Sequence, residues 1–162
     1  MRAAVITCSN RSARGERADT SGELLAGSLA DAGHEVVLRR VVPDEIAAIR
    51  TAIGDGIAAG AQIVLTTGGT GLAPTDVTPE AVRPLLDREV PGIAEALRLD
   101  ARDVVPTAVL SRGVAGIVGG ALVVTLPGSP GGVRDGMTVL TPLLDHVVEQ
   151  LAGGDHRPGG GT

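Results

Sequence analysis

Phenylalanine, tyrosine and tryptophan are absent from all 162 residues. Without aromatic rings there is no platform on which the bases of single-stranded nucleic acid could stack. Lysine is absent as well, so all 14 basic residues are arginine. That excludes a Schiff-base lysine and the lysine of a Walker A loop. A GC-rich coding bias toward Ala, Gly, Val, Arg and Asp explains the exchange of lysine for arginine without a functional reason. Cys8 is the single cysteine. It excludes an internal disulfide and any multi-cysteine metal site. The net charge is −5, so the chain as a whole has no electrostatic pull toward nucleic acid or an anionic membrane. No apolar run approaches the roughly 18 residues of a membrane helix. Met1 to Cys8 is too short in its apolar part for a signal peptide and reads better as a strand. A cytoplasmic location is the expectation, with neither nucleic acid nor membrane as a partner.

Apolar residues make up 43% of the chain and charged residues 20%, as in ordinary globular proteins. A chain of this size buries roughly 68–70% of its unfolded surface. One domain over 1–152 is expected, followed by a Gly-rich tail at 153–162 that reads as disordered. Strands are expected at 3–8, 35–42, 63–67, 108–118 and 121–126, the last two joined through Gly119-Gly120 as a hairpin. Helices are expected at 21–33 behind a Thr20 or Ser21 cap, from Pro43-Asp44-Glu45 to about Ala59, from Thr78 to before Pro91, at 92–103 and at 133–151, with Pro142 kinking or splitting the last. Thr78 reads as an N-cap with Pro79 at the first helical position. Strand and helix alternate, and the strands are continuous apolar runs, as when both faces are covered. The pattern predicts a three-layer α/β/α fold, its sheet mostly parallel with an antiparallel edge strand.

In such sheets ligands bind beyond the carboxyl ends of the strands. Four loops there carry chemistry: Ser9-Asn10-Arg11-Ser12, Pro43-Asp44-Glu45, Gly68-Gly69-Thr70-Gly71 through Asp76, and Pro127-Gly128-Ser129-Pro130. Thr66-Thr67-Gly68-Gly69-Thr70-Gly71 combines three glycines with three hydroxyls, a composition suited to an anion nest for phosphate. The same glycines would also serve a plain tight turn. Asp76 beside that loop would repel a phosphate unless a cation such as Mg²⁺ intervened; a local Asx-turn is the alternative. Asp44 either caps a helix or shares a Mg²⁺ with Asp76. Arg11 and Arg112 each suit bidentate phosphate contacts, although a lone arginine is more often solvated. Cys8 reads as a small buried residue rather than a reactive thiol. No histidine pairs with a nucleophile, so a Ser–His–Asp triad has no support.

Together, Leu65 to Gly71, Asp76-Val77-Thr78-Pro79-Glu80-Ala81, Val42-Pro43-Asp44-Glu45, Pro106 to Arg112 and Leu126 to Pro130 resemble the molybdopterin-binding family, in particular its MogA/MoaB group of molybdopterin adenylyltransferases. The resemblance runs from about residue 2 to residue 150. It implies a molybdopterin-binding-like fold and a role in molybdenum cofactor biosynthesis. The implied reaction is Mg²⁺- and ATP-dependent adenylylation of molybdopterin with release of pyrophosphate. It implies that Asp44 and Asp76 are catalytic and hold Mg²⁺, and that Thr67, Gly68, Gly69, Thr70 and Gly71 cradle phosphates. Ser9, Arg11, Ser111, Arg112, Pro127, Gly128, Ser129 and Pro130 would line the pterin or nucleotide pocket. A homotrimer is implied, with hexamers in the MoaB branch, and handover of the product to a separate insertase. The chain ends soon after its last helix, as in that branch. The alternative is a non-catalytic molybdopterin carrier. One departure stands out: Asn10 occupies a position that is often Asp in the family, which weakens a metal or base role there.

Overall fold

The computed structural model describes residues 1–153. The tail expected at 153–162 therefore lies, from residue 154 onward, outside the described residues. Six strands make one sheet: β1 (Arg2–Cys8), β2 (Glu35–Val42), β3 (Ile63–Thr67), β4 (Arg88–Glu89), β5 (Ala115–Val118) and β6 (Ala121–Leu126). Their order is β2-β1-β3-β6-β5-β4, with the first four parallel. At one edge β5 runs antiparallel to β6, and β4 antiparallel to β5. Six helices accompany them: α1 (Asn10–Ala13), α2 (Thr20–Asp31), α3 (Ile46–Ala58), α4 (Thr78–Val82), α5 (Pro91–Arg102) and α6 (Pro130–Leu151). The fold is the expected three-layer α/β arrangement. None of these helices is long and apolar enough to cross a membrane.

The layers follow from the two-residue alternation of a strand. Ala3 and Val5 of β1 face Leu25 and Leu29 of α2, Ile93 of α5 and Leu140 and Leu144 of α6. Ala4, Ile6 and Cys8 face Ile49 and Ile53 of α3 and Ala81 and Val82 of α4. β1 and β3 are buried on both faces, which is why they read as unbroken apolar runs. From β1 the chain passes through α2 to β2 on one side and returns through α3 to β3 on the other. This reversal opens a crevice beyond the carboxyl ends of β1 and β3.

Local departures from expectation have identifiable causes. The strand expected at 108–118 is only Ala115–Val118; residues Pro106–Leu110 form a 3-10 turn. Pro106 at its first position presets that turn, and Val109 and Leu110 are exposed rather than core. The helix expected from Thr78 onward stops at Val82 and passes through a 3-10 turn, Arg83–Leu85, into β4. Pro84 supplies no N–H for a continuing helix. The N-cap of α2 is Asp19, whose carboxylate accepts the Gly22 N–H, rather than Thr20 or Ser21. α6 begins at Pro130 behind the Ser129 cap and runs unbroken through Pro142. Thr138 and Pro142 are both exposed, so the carbonyl that loses its donor faces water. The β5–β6 connection is the expected hairpin, with Gly119 and Gly120 both at positive φ.

Candidate functional site

The loops after β1, β2, β3 and β6 meet at one edge because those four strands are parallel. They enclose a polar cavity of about 350 Å³. Ser9, Arg11, Asp44, Thr67, Gly68, Gly69, Asp76 and Gly128 all line it. A second cavity of about 480 Å³ adjoins it, with Thr70, Gly71, Ser111, Pro127 and Ser129 in its wall beside Val105, Ala108 and Leu110. Gly69, Asp76 and Gly128 belong to both. Asp76 thus stands where the two spaces join. Pro130 lines neither cavity and serves as the first residue of α6.

The Gly-rich loop is fixed from three sides. Gly68 donates its N–H to Leu126 O (3.0 Å), and Thr67 Oγ1 donates to Pro127 O (2.7 Å). Thr78 does not cap α4, whose N-cap is Val77. Its buried hydroxyl instead donates to Gly68 O (2.9 Å), and its N–H donates to Gly69 O (3.1 Å). Gly68 and Gly69 sit at φ +101° and +64°. A Cβ on Gly68 would overlap the Cys8 carbonyl oxygen, and one on Gly69 would overlap the Thr78 hydroxyl. Only glycine fits both the conformation and the approach.

Asp44 is not the cap of α3; that position is Glu45, which makes no side-chain cap bond. Asp44 is instead locked to Asn10. Its Oδ2 accepts the Asn10 N–H (2.8 Å), and its own N–H donates to Asn10 Oδ1 (3.1 Å). What position 10 supplies is an acceptor oxygen, which Asn and Asp provide equally. The departure at Asn10 thus preserves the positioning of Asp44. The other carboxylate oxygen, Asp44 Oδ1, is buried without a hydrogen-bond partner and lies against Gly69, 3.3 Å from where its Cβ would stand.

Asp76 does form a local turn: its Oδ2 accepts the Ala73 N–H (2.9 Å), and its own N–H donates to Ala73 O (2.9 Å). That turn is held from outside by Arg112. The Arg112 guanidinium donates to Gly71 O (2.8 Å), to Asp76 O and to the Glu80 carboxylate. Its N–H donates to Thr70 O (2.8 Å). Arg112 lines neither cavity at the sheet edge. Arg112 instead lines, with Ser111 and Glu80, a third cavity of about 630 Å³, and its fork, held by two backbone carbonyls and the Glu80 carboxylate, acts as a strut for the loop bearing Asp76. Arg112 holds the exposed Glu80 carboxyl below its ordinary range. That contribution is present above the ordinary carboxylate range and fades as pH falls through the lowered value. We expect Arg112→Lys, which keeps the charge but loses the fork, to speed amide hydrogen exchange at Ala73 and Asp76 by about tenfold. Unchanged exchange would show that the loop needs no strut.

Burial pushes the Cys8 thiol up to about 12, with the Asp44 carboxylate adding and the Thr78 hydroxyl opposing. Cys8 is buried, as expected, and also lines the polar cavity. Among the described residues no cluster of three or more His, Cys, Asp or Glu is placed to hold a metal. Asn10, Ser12 and Thr75, within the loops singled out in the sequence, also line the polar cavity, whereas Thr7, Arg17, Thr20 and Ser21 line it too and escaped the sequence reading of its site. The spacing of Asp19 before Gly22 was the one available signal, since that cap points the first turn of α2 at the β1 loop.

Comparison with known proteins adds a family. Residues 4–146 match the model of a family described as a probable molybdopterin binding domain. A molybdenum cofactor biosynthesis bifunctional protein of Synechococcus elongatus is 43% identical over 154 residues, which are 95% of this chain and 48% of that protein. The chain thus spans about half the length of that relative. A molybdopterin adenylyltransferase of Pyrococcus furiosus is 37% identical over 150 residues, 90% of this chain and 88% of the relative. A molybdopterin biosynthesis protein structure from Mycobacterium abscessus superposes with a TM-score of 0.89 at 46% identity, over 94% of this chain and 96% of the other.

Proposed function

The chain belongs to the probable molybdopterin binding domain family, and from that premise we propose that it adenylylates molybdopterin in molybdenum cofactor biosynthesis. In this reading an oxygen of the molybdopterin phosphate attacks the α-phosphorus of ATP. The bond from that phosphorus to the β-phosphate bridging oxygen breaks, and pyrophosphate leaves with its electron pair. The observation that carries the reading is the pair of cavities joined at Asp76. Two substrates held on either side of one carboxylate meet where a transfer step would occur.

The residues present fit a Mg²⁺ ion. Asp44 Oδ1 is buried and unpartnered, and Asp44 shares the polar cavity with Asp76. Two carboxylates without a third protein ligand suit a cation that keeps waters and takes substrate phosphates. Asp44 and Asp76 would hold it, and it would supply charge neutralisation between two phosphates. Asn10 orients Asp44, and Arg112 orients the Asp76 loop. The N–H groups around Gly68 and Gly69 and the hydroxyls nearby offer donors to phosphate oxygens.

This reading includes assembly as a homotrimer, with the hexamer as the MoaB-branch form, and handover of the product to a molybdenum insertase. Leu99, Val104, Val105, Val109 and Leu110, exposed large hydrophobics within residues 99–110, support assembly. The test is pyrophosphate release from Mg-ATP with and without molybdopterin, with Asp44→Ala/Asp76→Ala as control. Molybdopterin-dependent release that the double variant lacks is expected. Tight molybdopterin binding without release would make the chain a carrier instead.

A further inference from the structure

We propose that the wall of the polar cavity formed by Thr7, Arg17 and the N-terminus of α2 is a second anion subsite, separate from the Gly68–Gly69 turn, that takes a phosphoryl group. Three observations converge there. Thr7 is 2% exposed, and its Oγ1 is buried with no hydrogen-bond partner. Thr7 lines the cavity, and its hydroxyl lies against the first turn of α2, where a Cβ on Gly22 would overlap it. Buried hydroxyls almost always have partners, and this one has none among the described residues.

The second observation is the helix. α2 has 12 residues, and its N-cap Asp19 satisfies the Gly22 N–H (2.9 Å). The N–H groups of Thr20 and Ser21 precede any intrahelical acceptor, and both residues line the cavity. The third is Arg17, which lines the same wall and makes no hydrogen bond or ion pair among the described residues. A hydroxyl, first-turn amides and a free guanidinium are the donor set of a phosphate site. The Asp19 carboxylate stands beside the Thr7 hydroxyl, both against Gly22, and its charge is offset by its own partners. It is taken by Gly22 and by Arg39 (2.9 Å), which also reaches Glu23 (3.7 Å). The cavity's other carboxylates, Asp44 and Asp76, arrive on the loops after β2 and β3, whereas Arg11 and Arg17 arrive on the segment between β1 and α2.

The inference deepens the proposed adenylyl transfer and rests on it for the source of the phosphoryl group. That source is either the terminal phosphates of the nucleotide, which leave as pyrophosphate, or the phosphate of the pterin. Calorimetric titration of the full chain with inorganic pyrophosphate, AMP and molybdopterin separates them. Arg17→Ala and Thr7→Val are each expected to weaken pyrophosphate binding by about tenfold while leaving AMP within about twofold. Thr7→Ser, which restores the hydroxyl, should restore binding. Arg17 is exposed, so its variant separates loss of the site from loss of the fold. Weakened molybdopterin with unchanged pyrophosphate keeps the subsite and assigns it to the pterin phosphate. Unchanged binding of all three, or a wild-type chain that binds neither pyrophosphate nor molybdopterin, overturns it. These titrations read binding alone, so a failed transfer assay leaves them standing.

Discussion

Asp76→Asn is expected to lower molybdopterin-dependent pyrophosphate release by about a thousandfold, while the chain melts within about 2 °C of wild type. The two halves of this expectation come from different atoms. The structural work of Asp76 is to accept the Ala73 N–H and to offer its carbonyl to Arg112. An asparagine retains both, since its amide oxygen accepts and its backbone is unchanged. What it loses is the negative charge at the junction of the two cavities, which is what a bound cation requires. Steady-state release assays beside a thermal melt decide the matter. Wild-type turnover by the variant would remove Asp76 from the mechanism, and a collapsed melt would assign it to the fold.

Gly68→Ala is expected to have the largest effect on stability: about 3 kcal/mol, or a fall in Tm of about 6–12 °C for a chain this size. The residue stands at φ +101°, which side chains rarely adopt. The added Cβ would also overlap the Cys8 carbonyl oxygen, which is backbone and cannot rotate aside. Gly27→Ala is the matched control. Gly27 lies inside α2 with nothing within 4 Å of the new atom, so that change is expected to stabilise by up to about 1 kcal/mol. Equal melts for the two variants would show that the turn relaxes at no cost.

The sequence made the parallel strands legible because β1, β3 and β6 are buried on both faces and read as apolar runs with polar loops behind them. Co-location of the loops followed from parallelism alone, and so did the meeting of Asp44 and Asp76 in one cavity. Periodicity failed at 108–118. There an apolar triplet, Ala108-Val109-Leu110, precedes the true strand and looks continuous with it. Short apolar runs do not separate a turn from a strand. The role of Arg112 was illegible for another reason: the carbonyls it holds lie 36 and 41 residues away in the chain. Thr78 carried a sound local capping signal, yet its hydroxyl went to Gly68 because the buried turn offered an acceptor. Tertiary geometry outbid local preference there. Thr7 and Arg17 gave no signal, since an interior threonine and a loop arginine are ordinary residues.

The wall shared by Gly69, Asp76 and Gly128 has a consequence for how long a ligand stays. Two separate molecules, one in each cavity, leave independently. A single molecule that reaches through the junction behaves as a bivalent guest. When one end lets go, the other keeps it nearby at an effective concentration of roughly millimolar, and rebinding precedes escape. Joining two occupants therefore slows their departure without a single new contact. A ligand that spans both cavities would thus be retained, and its release would need both ends to let go together.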